Sequence, residues 1–277
     1  MAARKNTALL FSKLPEVGLV KTRLSVLKDG MFPPETACEL YECMLLDVVE
    51  IICAALDDLQ REAGGSDEYE LVVSTAPAEN VPAMRSLLDA EGFSRPVAVI
   101  ADEGASFDEH YNHAFAQCWE RGSDCILSMG ADMPALTKAD VKFGFEQLHR
   151  LDGIEGGGIV LAPDQEMGVS VVGWTRETAF DHSGVFYNAD GLTVLPAYIA
   201  KARDLGLPAL WLPPIPDVDT MGDFIHNVTL VHALAYCAEH DDIAPAWRTA
   251  EKLIDLGFRE IRVAPNDLRD PRTHIDQ

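Results

Sequence analysis

Two sets of side chains, far apart in the chain, are suited to chemistry on a phosphorylated ligand. The first is basic. Lys13, Lys21 and Arg23 lie within Ser12-Lys13-Leu14-Pro15-Glu16-Val17-Gly18-Leu19-Val20-Lys21-Thr22-Arg23-Leu24, directly after the apolar run Thr7-Ala8-Leu9-Leu10-Phe11. Phosphate recognition needs fixed positive charge and backbone N–H groups that can come close. Gly18 permits that approach, and Thr22 is placed to cap a helix beginning there. Six of the 22 Lys and Arg residues fall in the first 28 positions, in a chain of net charge −23. A lone lysine usually reads as a solvated surface charge. A cationic cluster at the end of a first strand favours the phosphate reading.

The second set is acidic. Ser128-Met129-Gly130-Ala131-Asp132-Met133-Pro134-Ala135-Leu136-Thr137 runs from a strand into an aspartate and then a proline that fixes a turn. Pro216-Asp217-Val218-Asp219-Thr220 supplies two more carboxylates. In an extended Asp-Val-Asp the side chains alternate, so one faces the crevice while the other caps the next helix. Hard cations such as Mg²⁺ favour one or two carboxylates plus substrate phosphates. Each segment also has a plainer reading, a turn cap for Asp132 and a helix cap for the Asp-Val-Asp pair.

Other patterns carry less. Gly153 to Gly158 precedes a strand and so lacks the context of a dinucleotide fingerprint, and no P-loop is present. His110 and His113, beside Asp108 and Glu109, read as solvated helix residues more readily than as metal ligands. Asp181-His182-Ser183 has no nucleophile-elbow setting. The sequon Asn227-Val228-Thr229 has no meaning in the cytoplasm.

The elements that must position these residues alternate. Strands are expected at residues 7–11, 70–74, 97–100, 125–129, 158–162, 169–173 and 209–212. Helices are expected at 35–60, 81–88, 106–121, after Thr137 to about His149, 192–204 and 224–239. Ser106 with Glu109 predicts a capping box. The pattern predicts an α/β fold, a mostly parallel sheet with helices on both faces. The short connection at 163–168 predicts an antiparallel insertion. Residues 1–240 read as one nucleotide-binding domain, and 241–277 as an extension packed on it.

Composition narrows the function. No apolar run reaches membrane-spanning length, and no signal peptide is evident. The strong negative charge argues against nucleic acid or an anionic membrane as partner. The six cysteines show no C-x-x-C pair or zinc spacing and read mostly as reduced core residues of a cytoplasmic protein.

The three blocks together resemble a known family. Leu10 to Leu24, as K-x-P-x-x-G-x-x-K-T-R-L after an apolar strand, is similar to the opening signature of the GT-A-type glycosyltransferase-like, or nucleotide-diphospho-sugar transferase, family. Gly130-Ala131-Asp132-Met133-Pro134-Ala135-Leu136 resembles its second block, G-x-D-x-P-x-L, and Asp217-Val218-Asp219-Thr220 its third, D-x-D-T. The resemblance covers roughly residues 7–235. It implies a single GT-A fold that binds a nucleotide through a divalent cation, Mg²⁺ or Mn²⁺. Lys13, Gly18, Lys21, Thr22 and Arg23 would line the phosphates. Asp132 and one of the pair, Asp219 before Asp217, would hold the metal, and Lys21, Arg23 and Asp132 would serve catalysis. Two stretches depart from the family pattern. Glu166-Met167-Gly168-Val169 lacks one glycine and the usual tyrosine, and Ala105-Ser106-Phe107-Asp108 replaces the usual Leu-Gly-Glu-Arg.

The sequence therefore predicts a metal-dependent transferase. Its donor is a nucleotide-diphospho-sugar or a nucleoside triphosphate, and its acceptor a small molecule. The alternative is a nucleotide-binding regulator without catalysis.

Overall fold

The structure, a computed structural model, describes residues 3–261. Seven strands form one sheet in the order β3-β2-β1-β4-β6-β5-β7. They are β1 (Arg4–Phe11), β2 (Asp67–Thr75), β3 (Val97–Ala101), β4 (Cys125–Gly130), β5 (Ile159–Pro163), β6 (Val169–Thr175) and β7 (Ala209–Trp211). The helices are α1 (Pro34–Ala63), α2 (Val81–Glu91), α3 (Phe107–Glu120), α4 (Lys138–Asp152), α5 (Val194–Asp204), α6 (Met221–Cys237) and α7 (Trp247–Asp255). β6 pairs antiparallel with both β4 and β5, while β5 pairs parallel with β7. The antiparallel insertion expected from sequence is thus one reversed strand.

The period-two alternation of β1 sorts the helices onto two faces. Ala8 and Leu10 are fully buried among residues of α1, α2 and α4. Leu9, between them, is fully buried against Phe115 of α3 and Tyr198 of α5. β1 is continuous with β2 on one side and β4 on the other, and α1 and α3 leave on opposite faces. That arrangement opens a crevice at the carboxyl ends of β1 and β4, where open α/β sheets take their ligands. Phe11 lies level with Ser74 of β2 and Gly130 of β4, which fixes the floor of this edge.

A third cluster anchors what lies above that edge. Val20, Leu24 and Phe32, from the basic loop and its continuation, pack with Leu40, Met44, Phe224, Val231 and Leu253. The loop is thereby held against α1, α6 and α7 by apolar burial, with its charges left at the crevice.

Several boundaries differ from those expected. α6 starts at Met221, three residues early, because Thr220 and Asp223 form a reciprocal capping box. Thr137 and Asp140 form another on α4. On α3 the expected box is half made. Ser106 Oγ accepts from Glu109 N, but the Glu109 carboxylate accepts from Ala105 N instead of closing back on Ser106. No helix begins at Thr22. Residues 17–24 are turns, followed by a short 3-10 turn at Val26–Lys28 capped by Ser25. Residues 262–277 of the expected extension lie outside the described residues.

Candidate active site

The turns after β1 carry Lys21 into the crevice. Its backbone is in the left-handed region, φ +44°, which costs a non-glycine residue of order 1–3 kcal/mol. Leu24 N–H donating to Lys21 O closes the turn behind it. Gly18, φ +79°, sits in the preceding turn, where only a residue without Cβ is unstrained. Lys21 Nζ donates to Asp132 Oδ2 at 2.5 Å and to Asp219 Oδ1 at 3.0 Å. Arg23 Nη1 lies 3.4 Å from Asp219 Oδ2. Cationic loop and carboxylates therefore meet at one point, although 111 and 198 positions separate Lys21 from its two partners.

Each carboxylate is placed by a separate device. Asp132 follows the end of β4, and its carbonyl accepts from Val218 N at 3.0 Å, which ties the two acidic segments together. A Cβ on Gly130 would lie 2.8 Å from Asp132 Oδ1, so the glycine leaves room for that carboxylate to fold over the strand end. Asp219 N donates to Asp223 Oδ2, within the cap of α6. Asp217 turns the other way and accepts from Gln165 Nε2 at 2.9 Å. Gln165 also donates to Asp223 Oδ1. The expectation that one carboxylate of the pair caps α6 is thus corrected: Thr220 and Asp223 cap it, and the alternation leaves Asp217 and Asp219 free for other partners.

The charges are unequal. Burial alone would depress the Lys21 ammonium, but Asp132 and then Asp219 override it and raise its pKa above the ordinary lysine value. Asp217 is pushed up to about 7, first by burial and then by repulsion from Asp132 and Asp219. Asp132 and Asp219 share the nearly buried Lys21 ammonium, Arg23 reaches Asp219 alone, and Asp217 has no cationic partner among the described residues. Asp132 is a quarter exposed at its side chain and Asp219 half exposed, so both remain reachable.

Of the sequence-predicted residues, Lys21, Arg23, Asp132 and Asp219 come together. Asp217 stands behind them. Lys13 is exposed, and its backbone is pinned by Tyr41, whose hydroxyl accepts from Lys13 N at 3.1 Å and pairs with Ser12 Oγ at 2.9 Å. Burial pushes the Tyr41 phenol up to about 12, with Ser12 opposing. Thr22 makes no helix cap; its carbonyl accepts from Ser25.

Tyr41, Gln165 and Tyr111 are absent from the sequence-predicted set. Tyr41 lies on the apolar face of α1, where it reads as core. Gln165 has no charge to advertise it, though it immediately precedes the divergent Glu166 block. Tyr111 stacks on Phe11, ring centroids 3.8 Å apart. His110 and His113 are not simply solvated as expected. His110 Nδ1 pairs with Asp102 Oδ1 at 2.6 Å, and His113 Nδ1 accepts from Glu103 N. His182 is fully buried and pairs through Nδ1 with Tyr198.

A "putative nucleotide-diphospho-sugar transferase" from Desulfovibrio desulfuricans G20 superposes with a TM-score of 0.68, covering 91% of this chain and 95% of that one at 20% sequence identity. This chain has the nucleotide-diphospho-sugar transferase fold. Residues 59–189 also match a family model described as an uncharacterized protein conserved in bacteria (DUF2064). A cytidylyltransferase from Leptospira borgpetersenii, TM-score 0.47 and 10% identical over 94% of this chain and all of that one, is more distant. So is a CMP:2-keto-3-deoxy-manno-octonic acid synthetase complexed with CTP, TM-score 0.45 and 11% identical over 83% of this chain and 98% of that one. No curated protein sequence matches the chain. Among the described residues no helix is long and apolar enough to cross a membrane.

Proposed function

We propose that the crevice binds the polyphosphate of a nucleotide or nucleotide-sugar together with a divalent cation and transfers a glycosyl or nucleotidyl group to a small acceptor. The observation that carries this reading is the convergence of Lys21 and Arg23 with Asp132 and Asp219 at the carboxyl end of β1 and β4. A cluster built only for stability would not leave Asp219 half exposed.

The donor set suits Mg²⁺ or Mn²⁺. All three carboxylates offer hard oxygen ligands, and the point between Asp132 and Asp219 already takes positive charge in the form of the Lys21 ammonium. Among the described residues no three metal-ligating side chains form a ready-made cage. Two carboxylates completed by substrate phosphates is the usual habit of Mg²⁺. Asp132 and Asp219 would hold the ion, which would polarise phosphate oxygens and offset charge on the departing diphosphate or pyrophosphate. Lys21, released from one carboxylate as substrate arrives, would bind a phosphate oxygen and steady the charge that develops during transfer. Arg23, 61% exposed at its side chain, is free to fork onto the outer phosphate. Lys13 would add charge at the rim.

The test is calorimetric titration of nucleoside triphosphates and nucleotide-sugars with and without Mg²⁺ or Mn²⁺, followed by product analysis. Pyrophosphate release would mark nucleotidyl transfer, and nucleoside diphosphate release glycosyl transfer. Equal nucleotide affinity in the wild type and Asp132→Ala would end the reading.

A further inference from the structure

A second polar cluster occupies the same sheet edge on the far side of β1. Asp102 follows β3 directly and continues its ladder, its N–H donating to Thr75 O. The side chain is buried, and both oxygens are engaged. Oδ2 accepts from Ser74 Oγ at 2.7 Å, and Oδ1 faces His110 Nδ1 at 2.6 Å. An ionised carboxylate only accepts, so Nδ1 carries the proton and Nε2 of a neutral ring offers a lone pair. His110 lies in the first turn of α3. Nε2 has no hydrogen bond to the described chain, and the side chain is 28% exposed.

The space between the two clusters is aromatic. The Tyr111 ring lies on Phe11, the last residue of β1, at an interplanar angle of 12°. Burial pushes the Tyr111 phenol up, and Asp132 and Asp102 both add to that shift. Neighbouring strands are about 4.8 Å apart and β3 lies three spacings from β4, so Asp102 lies roughly 14 Å along the edge from Asp132. A general base must sit within hydrogen-bond reach of the proton it removes. His110 is too far from Lys21 and Asp132 for that role and at a fitting distance for the nucleoside end of a ligand whose phosphates lie at Lys21.

We infer that the Asp102–His110 pair reads the nucleoside of the bound nucleotide, His110 Nε2 accepting a hydrogen bond from a ribose hydroxyl or an exocyclic amine while Ser74 and Asp102 hold the ring. This inference rests on the proposed nucleotide site and assigns its specificity. Asp102 acts through His110 and is a positioning residue.

The test uses the full chain with Mg²⁺, titrated calorimetrically with the four ribonucleoside triphosphates, their deoxy counterparts and inorganic triphosphate. His110→Ala should weaken the preferred nucleotide about tenfold or more, as for loss of a hydrogen bond to a fixed partner. It should flatten the preference among nucleotides and leave inorganic triphosphate unchanged. His110→Gln, which restores a carbonyl acceptor, should recover part of the loss. An alanine variant that binds every nucleotide within twofold of wild type, or loses inorganic triphosphate equally, overturns the assignment while leaving the phosphate site standing. A wild type that binds inorganic triphosphate and no nucleotide better also overturns it. Absence of all binding by wild type removes the underlying reading as well.

Discussion

The ion-pair clusters around Arg248 and Lys21 each bring several carboxylates together, and only one of the two is closed. Arg248, near the start of α7, meets Asp47 and Glu50 of α1 and Glu91 at the end of α2. Asp47 is almost wholly buried and also accepts from Arg248 N and Thr249 N, so it caps α7 from across the helix interface. The planar guanidinium serves three acids at once, and no carboxylate is left over. Lys21 is the opposite case. Its single ammonium faces Asp132 and Asp219, Arg23 reaches only one of them, and Asp217 is pushed up to about 7 behind them. A closed network tells of folding. An open one, at the carboxyl edge of a sheet, fits the ligand site proposed there.

The contrast predicts separable losses. The largest is in binding. Asp132→Ala should abolish metal-dependent nucleotide affinity while the melting temperature changes little, since removing one acid relieves the crowding around Asp217. A variant that keeps its affinity, or that unfolds, would place Asp132 in the closed class. Next is Asp47→Ala, expected to cost about 3 kcal/mol of stability because a buried partner of Arg248 and of two backbone N–H groups disappears. Urea unfolding checks the loss, and nucleotide affinity should stay as in wild type.

Lys21→Ala should weaken nucleotide binding by about 2 kcal/mol, the worth of a charged hydrogen bond. A loss of stability with full affinity would show that Lys21 merely pairs the carboxylates. An acid titration sharpens the comparison from outside both clusters. His182 is caged by Tyr111, Phe115, Trp174 and Tyr198, and its Nε2 has no partner. Burial, then Lys201, lowers its pKa to about 3 from 6.5. The unfolded chain therefore takes a proton first as pH falls, and stability is lost from about pH 6.5 downward. At pH 5 the loss amounts to about 2 kcal/mol. Carboxylates with depressed pKa values, Glu70 and Asp223 among them, release stability only near pH 4 and below. Asp217, being raised, works in the opposite sense from pH 7 downward. The informative measurement is thus the difference between wild type and His182→Leu across pH 8 to 5. Equal pH dependence in the two would remove His182 as the cause.

How much was legible in the sequence follows from what each signal depends on. The apolar runs at Thr7–Phe11 and Cys125–Met129 give strands because burial on both faces leaves no polar position to obscure them. Asp132 and Lys21 were legible because charge at a strand's end is unusual and the sheet topology points both to one edge. Asp102 and His110 were not, because their meaning lies in a contact between the end of β3 and the first turn of α3 that no spacing rule encodes. Gln165 was hidden for a related reason. An uncharged amide that pairs with Asp217 and Asp223 across 52 and 58 residues leaves no local trace. Helix starts erred where a cap competed with apolar periodicity. The periodic signal of α6 begins at Phe224, but Thr220 and Asp223 begin the helix earlier.

That same cap supplies the finest division between the two kinds of network. Asp223 Oδ2 accepts from Asp219 N, Thr220 N and Thr220 Oγ1, while its Oδ1 accepts from Gln165. The carboxylate thus links the start of α6 to both acids of the Asp-Val-Asp segment, whereas the Thr220 hydroxyl serves the helix alone. Thr220→Ala leaves the Asp219 and Gln165 contacts in place and should cost about 1 kcal/mol of stability, the ordinary worth of a cap. Nucleotide affinity should be unchanged. Chemical denaturation beside calorimetric titration separates the two quantities. A drop in affinity exceeding the drop in stability would mean that the hydroxyl holds Asp219 against the ligand, and the boundary between fold and site would then run through the cap itself.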